Sequence, residues 1–169
     1  MTAPVDDPTI RPLAVDDAPE FVRLLDANRA FLAPFSPEWP DDFFTVGTQR
    51  TRIASNDLLY GIFDEGALAG LVVLSNIVRG PFQSANLGYF VDRGRNGRGL
   101  ATRAIATIVG TSFAELGLHR LEAGTLVDNV ASQRVLEKNG FVRIGIAPRY
   151  LCIAGAWRDH VLFQRTKED

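Results

Sequence analysis

The densest chemistry in the chain lies between residues 91 and 102, Val91-Asp-Arg-Gly-Arg-Asn-Gly-Arg-Gly-Leu-Ala-Thr102. Gly94, Gly97 and Gly99 let the backbone turn tightly and aim successive N–H groups at one point. A helix beginning just beyond them adds unpaired donors and the positive end of its dipole. That geometry binds phosphate. Arg93, Arg95, Arg98 and Arg103 concentrate positive charge at the turn, which suits a ligand carrying several phosphates. Glycines alone would equally support a tight turn with solvated arginines. A Walker A loop is excluded because no Gly-Lys-Ser/Thr follows. A dinucleotide fingerprint nearly fits from Gly97, but Thr102 stands in the third glycine's place and the turn lies in mid-chain.

The other reactive side chains are sparse. Cys152 is the single cysteine, so an intrachain disulfide and a cysteine-based metal cage are both ruled out. It is expected to be a small buried hydrophobe on a strand. His119 stands at a strand entrance, where an exposed or structural role is expected. His160, in Trp157-Arg-Asp-His160, is expected to pack or hydrogen-bond, with a substrate-side role as the alternative. No metal site is expected.

These residues belong to a 169-residue chain with 18 Lys+Arg against 20 Asp+Glu, a formal charge of −2. Such a balance does not coat nucleic acid or membranes by bulk electrostatics, so neither is expected as a partner. With 46% hydrophobic and 22% charged residues, the composition is that of a globular protein, and the length suits one domain over 1–169. The acidic start, Met-Thr-Ala-Pro-Val-Asp-Asp, is unlike a signal peptide. The longest apolar run, Ala67 to Leu74, is far short of the ~18–20 residues that span a bilayer. A soluble, cytoplasmic domain is expected.

The elements that must position the turn can be read from periodicity. Ile10 to Ala14 reads as a strand, followed by a helix from Ala18 to Ala30 that Asp17 would cap with Glu20 in a capping box. Ala33-Pro-Phe-Ser-Pro-Glu-Trp-Pro40 breaks that helix into a rigid loop carrying exposed aromatics. A second helix is predicted over Asp41 to Ser55, then strands at Leu58–Asp64, Ala67–Ile77 and Phe82–Asp92. A helix over Thr102–Leu116, a strand at Leu121–Val127, a helix over Val130–Lys138 and strands at Phe141–Ile146 and Trp157–Arg165 complete the order. The pattern is mixed α/β with a parallel β-α-β crossover around the glycine turn.

At this point the sequence resembles a known family. Asn96-Gly-Arg-Gly-Leu-Ala101 is similar to the Gln/Arg-x-x-Gly-x-Gly/Ala signature of the GNAT superfamily of N-acetyltransferases. Asn28-Arg-Ala-Phe-Leu-Ala-Pro34, Ser75-Asn-Ile-Val-Arg-Gly80, Leu87-Gly-Tyr89, Asn129-Val-Ala-Ser132, Leu136-Glu-Lys-Asn-Gly-Phe141, Tyr150-Leu and Trp157-Arg-Asp-His-Val161 resemble its RimJ/RimL branch, the alanine acetyltransferases most. Coverage is essentially the whole chain. The resemblance implies a mostly antiparallel sheet with a central parallel crossover and flanking helices, with acetyl-CoA as co-substrate. It implies that Asn96, Gly97, Arg98, Gly99, Leu100, Ala101 and Thr102 hold the pyrophosphate through backbone amides. Phe90 and Val91 would pair their backbone with pantetheine, Asn129 would hydrogen-bond the cofactor or cap a helix, and Ser132 would lie near the thioester sulfur. Asn96 replaces the usual Gln or Arg.

In this family the acceptor amine attacks the thioester directly, a backbone N–H of the fourth strand stabilises the oxyanion, and many members use a tyrosine of the last helix as general acid. Here that position is Leu136. The acid is either absent or supplied from elsewhere, with Ser132 or a water as candidates. Where some members carry a Glu on the fifth strand this chain has Gly124, and Glu122 lies two residues earlier on the same face. Glu122, acting through water, is therefore the candidate base, against the equal alternative of a carboxylate paired with Arg103, Arg120 or another basic residue. Arg149 stands where the branch can carry an acid. Phe35, Glu38 and Trp39 of the proline loop suit the acceptor cleft, with a solvated loop sealing the first two helices as the bland alternative.

The missing strong base bears on the substrate. An α-amine has a reference pKa of about 7.7–8.0 against about 10.4 for lysine, so deprotonating lysine costs about 3.4 kcal/mol more. The leading reading is an acetyltransferase for the N-terminal α-amine of a protein, a ribosomal protein by resemblance, acting as a monomer or homodimer. A small-amine or antibiotic acetyltransferase and a non-catalytic acyl-CoA-binding module are the alternatives, with a dinucleotide oxidoreductase more distant.

Overall fold

The computed structural model describes residues 7–55 and 58–168, so all of the acidic start but Asp7 lies outside the described residues. β1 (Thr9–Pro12) leads through a 3-10 turn (Val15–Asp17) into α1 (Ala18–Ala27) and the single-turn α2 (Arg29–Leu32). Further 3-10 turns at Ala33–Phe35 and Asp41–Phe44 precede α3 (Val46–Ile53). β2 (Leu58–Asp64), β3 (Ala67–Val78) and β4 (Ser84–Val91) form a meander. α4 (Leu100–Ala114), β5 (Arg120–Leu126), α5 (Val130–Lys138), β6 (Val142–Ile153) and β7 (Ala156–Thr166) follow.

The strands form one sheet in the order β1-β2-β3-β4-β5-β7-β6. Every pairing is antiparallel except β4 with β5, which α4 connects as a crossover. The fold class expected from the sequence is the one observed. Alternation along the strands gives the sheet two apolar faces. On one, Val72, Leu74, Leu87, Leu121 and Phe163 pack against Ile105 and Ile108 of α4 and Leu136 of α5. On the other, Leu59, Phe63 and Leu71 pack against Phe21, Leu24 and Leu25 of α1. Among the described residues no helix is long and apolar enough to cross a membrane.

Several boundaries differ from expectation, each for a local reason. The first helix stops at Ala27 because Asn28 leaves helical geometry (φ −105°, ψ 4°). The capping box at Asp17 and Glu20 does not form. The Asp17 carboxylate instead accepts from Arg11 at 2.7 and 2.9 Å and from the Ala14 N–H, while Glu20 accepts from the Leu68 N–H at 2.8 Å. The hydrogen bond from Arg11, with that from Ala14, holds the Asp17 carboxyl below its ordinary range. The second helix begins only at Val46, since Thr45 is extended and its hydroxyl caps the helix through the Thr48 N–H. β6 runs on to Ile153 because Pro148 stands on the sheet's edge strand, where a missing donor costs no ladder bond, and a bulge between Ala147 and Leu151 absorbs it. α4 starts at Leu100, two residues earlier than expected.

Candidate functional site

The site begins where two strands part. β4 and β5 pair only at Ser84↔Arg120, Ala85↔Leu121 and Asn86↔Glu122, although β4 continues to Val91 and β5 to Leu126. Beyond Asn86 and Glu122 a gap opens in the sheet. The Asp92 N–H donates to the Ala69 carbonyl at 2.7 Å, which makes Gly70↔Val91 the pair without direct hydrogen bonds and Leu71↔Phe90 the bonded one. Phe90 thus commits its N–H and C=O to β3, contrary to the expectation that it pairs with pantetheine. The backbone groups of Leu87, Tyr89 and Val91 face the gap instead.

The gap ends at the glycine turn, which Asn28 fixes from below. Its Oδ1 accepts from the Arg93 N–H at 2.9 Å, while its Nδ2 donates to Asp92 and to the Leu24 carbonyl, each at 2.9 Å. Gly97 and Gly99 have φ of +78° and +75°, the left-handed geometry that turns neighbouring N–H groups to one side. Gly99 is the N-cap of α4 and offers no side-chain acceptor, so the first-turn N–H groups of Leu100, Ala101 and Thr102 are open to an anion. The donor set fits a pyrophosphate.

The charge at the turn is smaller than the arginine count suggests. Arg95 and Arg98 share Asp64, at 2.6 and 2.8 Å, and that carboxylate is buried. Arg103 lies 3.6 Å from Asp7, with its Nε and Nη2 buried and without hydrogen-bond partners. Arg93 lies over the Phe31 ring. The sequence expectation of four arginines available to a polyphosphate is corrected accordingly, since two of them brace the turn.

On the α5 face of the gap, Asn129 caps α5 by accepting from the Ser132 N–H at 3.3 Å. The Ser132 hydroxyl lies 2.7 Å from the Tyr89 hydroxyl, which also donates to the Ser132 carbonyl at 3.1 Å. Burial pushes the Tyr89 phenol up to about 12, against a smaller opposing effect of the Ser132 hydrogen bond. Leu136 is fully buried in the core and cannot reach the gap.

On the opposite face two cavities meet at Gly88. The larger, about 750 Å³, is lined by Arg29, Phe35, Glu38, Trp39 and Phe43 among others. Trp39 stacks on Phe43 with ring centres 4.2 Å apart, and the Ala154 N–H donates to the Ser36 carbonyl at 2.9 Å, so the β6–β7 turn braces the proline loop. Glu38 lies against Gly155, where a Cβ would meet its Oε1 at 2.8 Å. The loop therefore packs on the Asp41–Phe44 turn and the β6–β7 turn and lines a cleft at once. The smaller cavity, about 330 Å³, is lined by Asn86, Glu122, Gly124, Tyr150 and Leu162. Glu122 is half-buried there and, among the described residues, has no ion-pair partner. Arg120 donates to Gln164 instead.

The acetyltransferase (GNAT) domain family matches residues 9–142. A probable N-acetyltransferase of Bacillus subtilis, YjcK, is 43% identical over 161 residues, 89% of each chain. The chain belongs to the GNAT acetyltransferase family. Among solved structures, the ribosomal-protein-S5-alanine acetyltransferase of Vibrio fischeri superposes with a TM-score of 0.92 at 31% identity, covering 97% of this chain and 95% of that one. Mycobacterium smegmatis RimJ in complex with CoA-disulfide gives 0.87 at 32% identity, covering 93% and 80%. The resemblance read from the motifs therefore holds, down to the ribosomal-protein branch.

Other GNAT residues fall outside the gap. The buried His160 Nδ1 is 3.0 Å from the Arg158 carbonyl and its ring packs near Tyr150, while His119 is exposed. Cys152 is on β6 as expected but exposed, because the strand is the sheet's edge. Arg149 sits in the β6 bulge with φ +50°, its N–H bonded to Asp159 at 2.8 Å. Sequence reasoning assigned nothing to Tyr89, Asn28 or Asp64. The strand parity that sends Tyr89 to the side of Leu87 and Val91 was available; the contacts of Asn28 and Asp64 span 64 and 31 or more residues and were not.

Asp64 supplies the first test. Asp64→Asn removes the one carboxylate that both guanidinium groups share. Because Arg95 and Arg98 are 26% and 40% exposed, solvent relieves part of the cost, so we expect about 2 kcal/mol, below the ~3–5 kcal/mol of a fully buried pair. Thermal denaturation should show a fall of roughly 4–8 °C; an unchanged midpoint would mean the turn is not braced by this carboxylate.

Proposed function

We propose that this GNAT acetyltransferase takes acetyl-CoA and transfers its acetyl group to the N-terminal α-amine of a protein, a ribosomal protein, and that residues 1–169 act as one soluble, cytoplasmic unit. The observation that carries the reading is the split between β4 and β5, which ends at a left-handed glycine nest on a helix N-terminus and opens at Gly88 onto a cleft wide enough for a peptide. The likeness to ribosomal-protein acetyltransferases at about a third identity supports the choice of acceptor.

In this reading the amides from Gly97 to Thr102 hold the pyrophosphate, and the side chains of Asn96 and Arg98 flank it. Val91 and Tyr89 present backbone to the pantetheine, and Asn129 orders the start of α5. The amine enters past Phe35, Glu38 and Trp39, with Glu38 facing its positive charge. Its nitrogen attacks the carbonyl carbon while a backbone N–H of Leu87 or Tyr89 donates to the developing oxyanion. Glu122 takes the amine's proton through water on one face of the gap. Ser132 donates to the departing sulfur on the other.

The test is thiol release from acetyl-CoA at pH 7.5 across peptides beginning with Ala, Ser or Met, N-blocked lysine peptides and small amines. A reference pKa difference of about 2.5 units leaves lysine roughly 300-fold less neutral, so N-terminal peptides should exceed lysine peptides by about 10² in kcat/KM. Faster lysine acetylation overturns the α-amine assignment. Turnover confined to small amines points to the small-molecule reading, and CoA binding without any turnover to an acyl-CoA-binding module.

A further inference from the structure

We propose that Tyr89 is the positioning residue that aims the Ser132 hydroxyl at the leaving sulfur, so that the phenol serving this site stands on β4 rather than on α5. The inference rests on the acetyl-transfer reading and names a component of it that the family match does not supply.

The hydroxyl geometry allows two arrangements. Ser132 has one hydroxyl proton, and Tyr89 has one. If the phenol donates to the Ser132 carbonyl, 3.1 Å away, the Ser132 O–H can donate back to the phenol oxygen at 2.7 Å, and its proton is occupied. If the phenol turns to donate to Ser132 Oγ, the serine proton is released to a third partner. Rotation of the phenolic O–H onto Ser132 Oγ, with the serine O–H turning away in response, thus switches Ser132 from closed to open, and an acceptor arriving in the gap selects the open form.

Further observations converge on this pair. Leu136 is fully buried, so α5 brings no phenol to the gap. Thr125 on β5 shares the strand parity of Leu121 and Ala123, which lie in the same apolar cluster as the Tyr89 ring, and it stands beyond the last β4–β5 pair. Its hydroxyl is buried and, among the described residues, has no hydrogen-bond partner, so this face of the sheet carries an unsatisfied polar group where the two strands have parted. The backbone of Tyr89 also faces the gap, so this residue is held there by its strand rather than by its side chain alone.

The phenol's elevated pKa keeps it neutral, and hence a donor, through the pH range in which an amine reacts. It also argues against a tyrosinate intermediate, since a thiol ordinarily titrates near ~8.5, below this phenol, and a full proton transfer from the phenol to a thiolate would run uphill. As the C–N bond forms and the C–S bond breaks, the electron pair stays on sulfur, hydrogen-bonded by Ser132. The amine's proton leaves toward Glu122 and water, and water returns a proton to the thiolate. Tyr89 remains protonated throughout.

The experiment is a double-mutant cycle with Tyr89→Phe and Ser132→Ala, reading kcat, KM for acetyl-CoA, CoA affinity and melting temperature. Tyr89→Phe should lower kcat about tenfold, short of the roughly 10²-fold of a direct general acid, with KM for acetyl-CoA and CoA affinity within twofold. On the Ser132→Ala background it should cost less than twofold, and Ser132→Thr, which keeps the hydroxyl, should restore the dependence on Tyr89. A wild-type kcat in Tyr89→Phe, or losses that multiply in the double variant, overturns the assignment. If no amine is acetylated the function proposed above fails instead, and the slow hydrolytic release of thiol from acetyl-CoA reads the same cycle.

Discussion

Gly99→Val is expected to weaken CoA binding about a hundredfold while leaving the protein folded. Gly99 has φ +75° at the N-cap of α4, a conformation that costs a β-branched residue roughly 1–2 kcal/mol. Space is not the obstacle, since a Cβ there meets only Arg103 Nη1, at 3.6 Å. The backbone is. A valine relaxes toward negative φ, which rotates the adjoining peptide planes and withdraws N–H groups from the point where an anion would sit. Losing two charge-assisted hydrogen bonds at about 1.5 kcal/mol each is about 3 kcal/mol, or roughly 10² in affinity. Gly117→Val provides the control, because Gly117 has φ +64° with nothing within 4 Å of an added Cβ and lies three residues beyond the C-terminal end of the same helix. It should show similar destabilisation with unchanged CoA affinity by calorimetry. Equal affinity losses in both variants would mean that strain, not the nest, accounts for the effect.

The contrast between these glycines shows what the sequence could disclose. The nest was legible because its chemistry is local: glycine spacing, a following helix and nearby positive charge all lie within twelve residues. The exact span of α5, Val130–Lys138, was legible too, because its cap and its Asn139-Gly140 stop are adjacent in the chain. What escaped was non-local. The buried Asp64 looks from sequence like the polar end of a strand, and only folding brings Arg95 and Arg98 onto it, turning two supposed phosphate ligands into supports. The backbone edge that Phe90 serves is not readable locally either, because it depends on the β3 register, and that register shifts at an irregularity within β3 between Ser75 and Val78. Cys152 was expected inside because its strand's place at the sheet edge is a property of topology, not of its neighbours in sequence.

Glu122→Gln, by contrast with the glycine variant, should leave CoA affinity intact and lower kcat with an α-amine peptide by about 10² at pH 7. The two faces of the gap explain the separation. Glu122 lines the cavity shared with Asn86 and Gly124, whereas the nest, Asn129 and Ser132 lie at the end of the gap or on its other face. Gln conserves size and removes only the proton acceptor, so folding should be unaffected. The deficit should shrink as pH rises. Near pH 7 about a tenth of an α-amine is neutral, and above pH 9 most of it is, so the amine arrives already deprotonated and the base has less to contribute. We therefore expect the wild-type to variant ratio to fall toward about tenfold at pH 9.5, with the remainder due to removal of the second proton after attack. A ratio independent of pH would assign Glu122 to orienting the acceptor, and an undiminished kcat at pH 7 would leave deprotonation to solvent. The absence of a carboxylate at position 124 bears on the same point. A Cβ at Gly124 would already contact Leu162, His160 and Tyr150 at 3.5–3.7 Å, so a larger side chain there must displace the Tyr150 ring that the β6 bulge carries into this cavity. With that position closed by packing, Glu122 is the carboxylate through which this face of the gap can accept a proton, and the pH dependence of its loss measures how much the acceptor's own acidity does in its place.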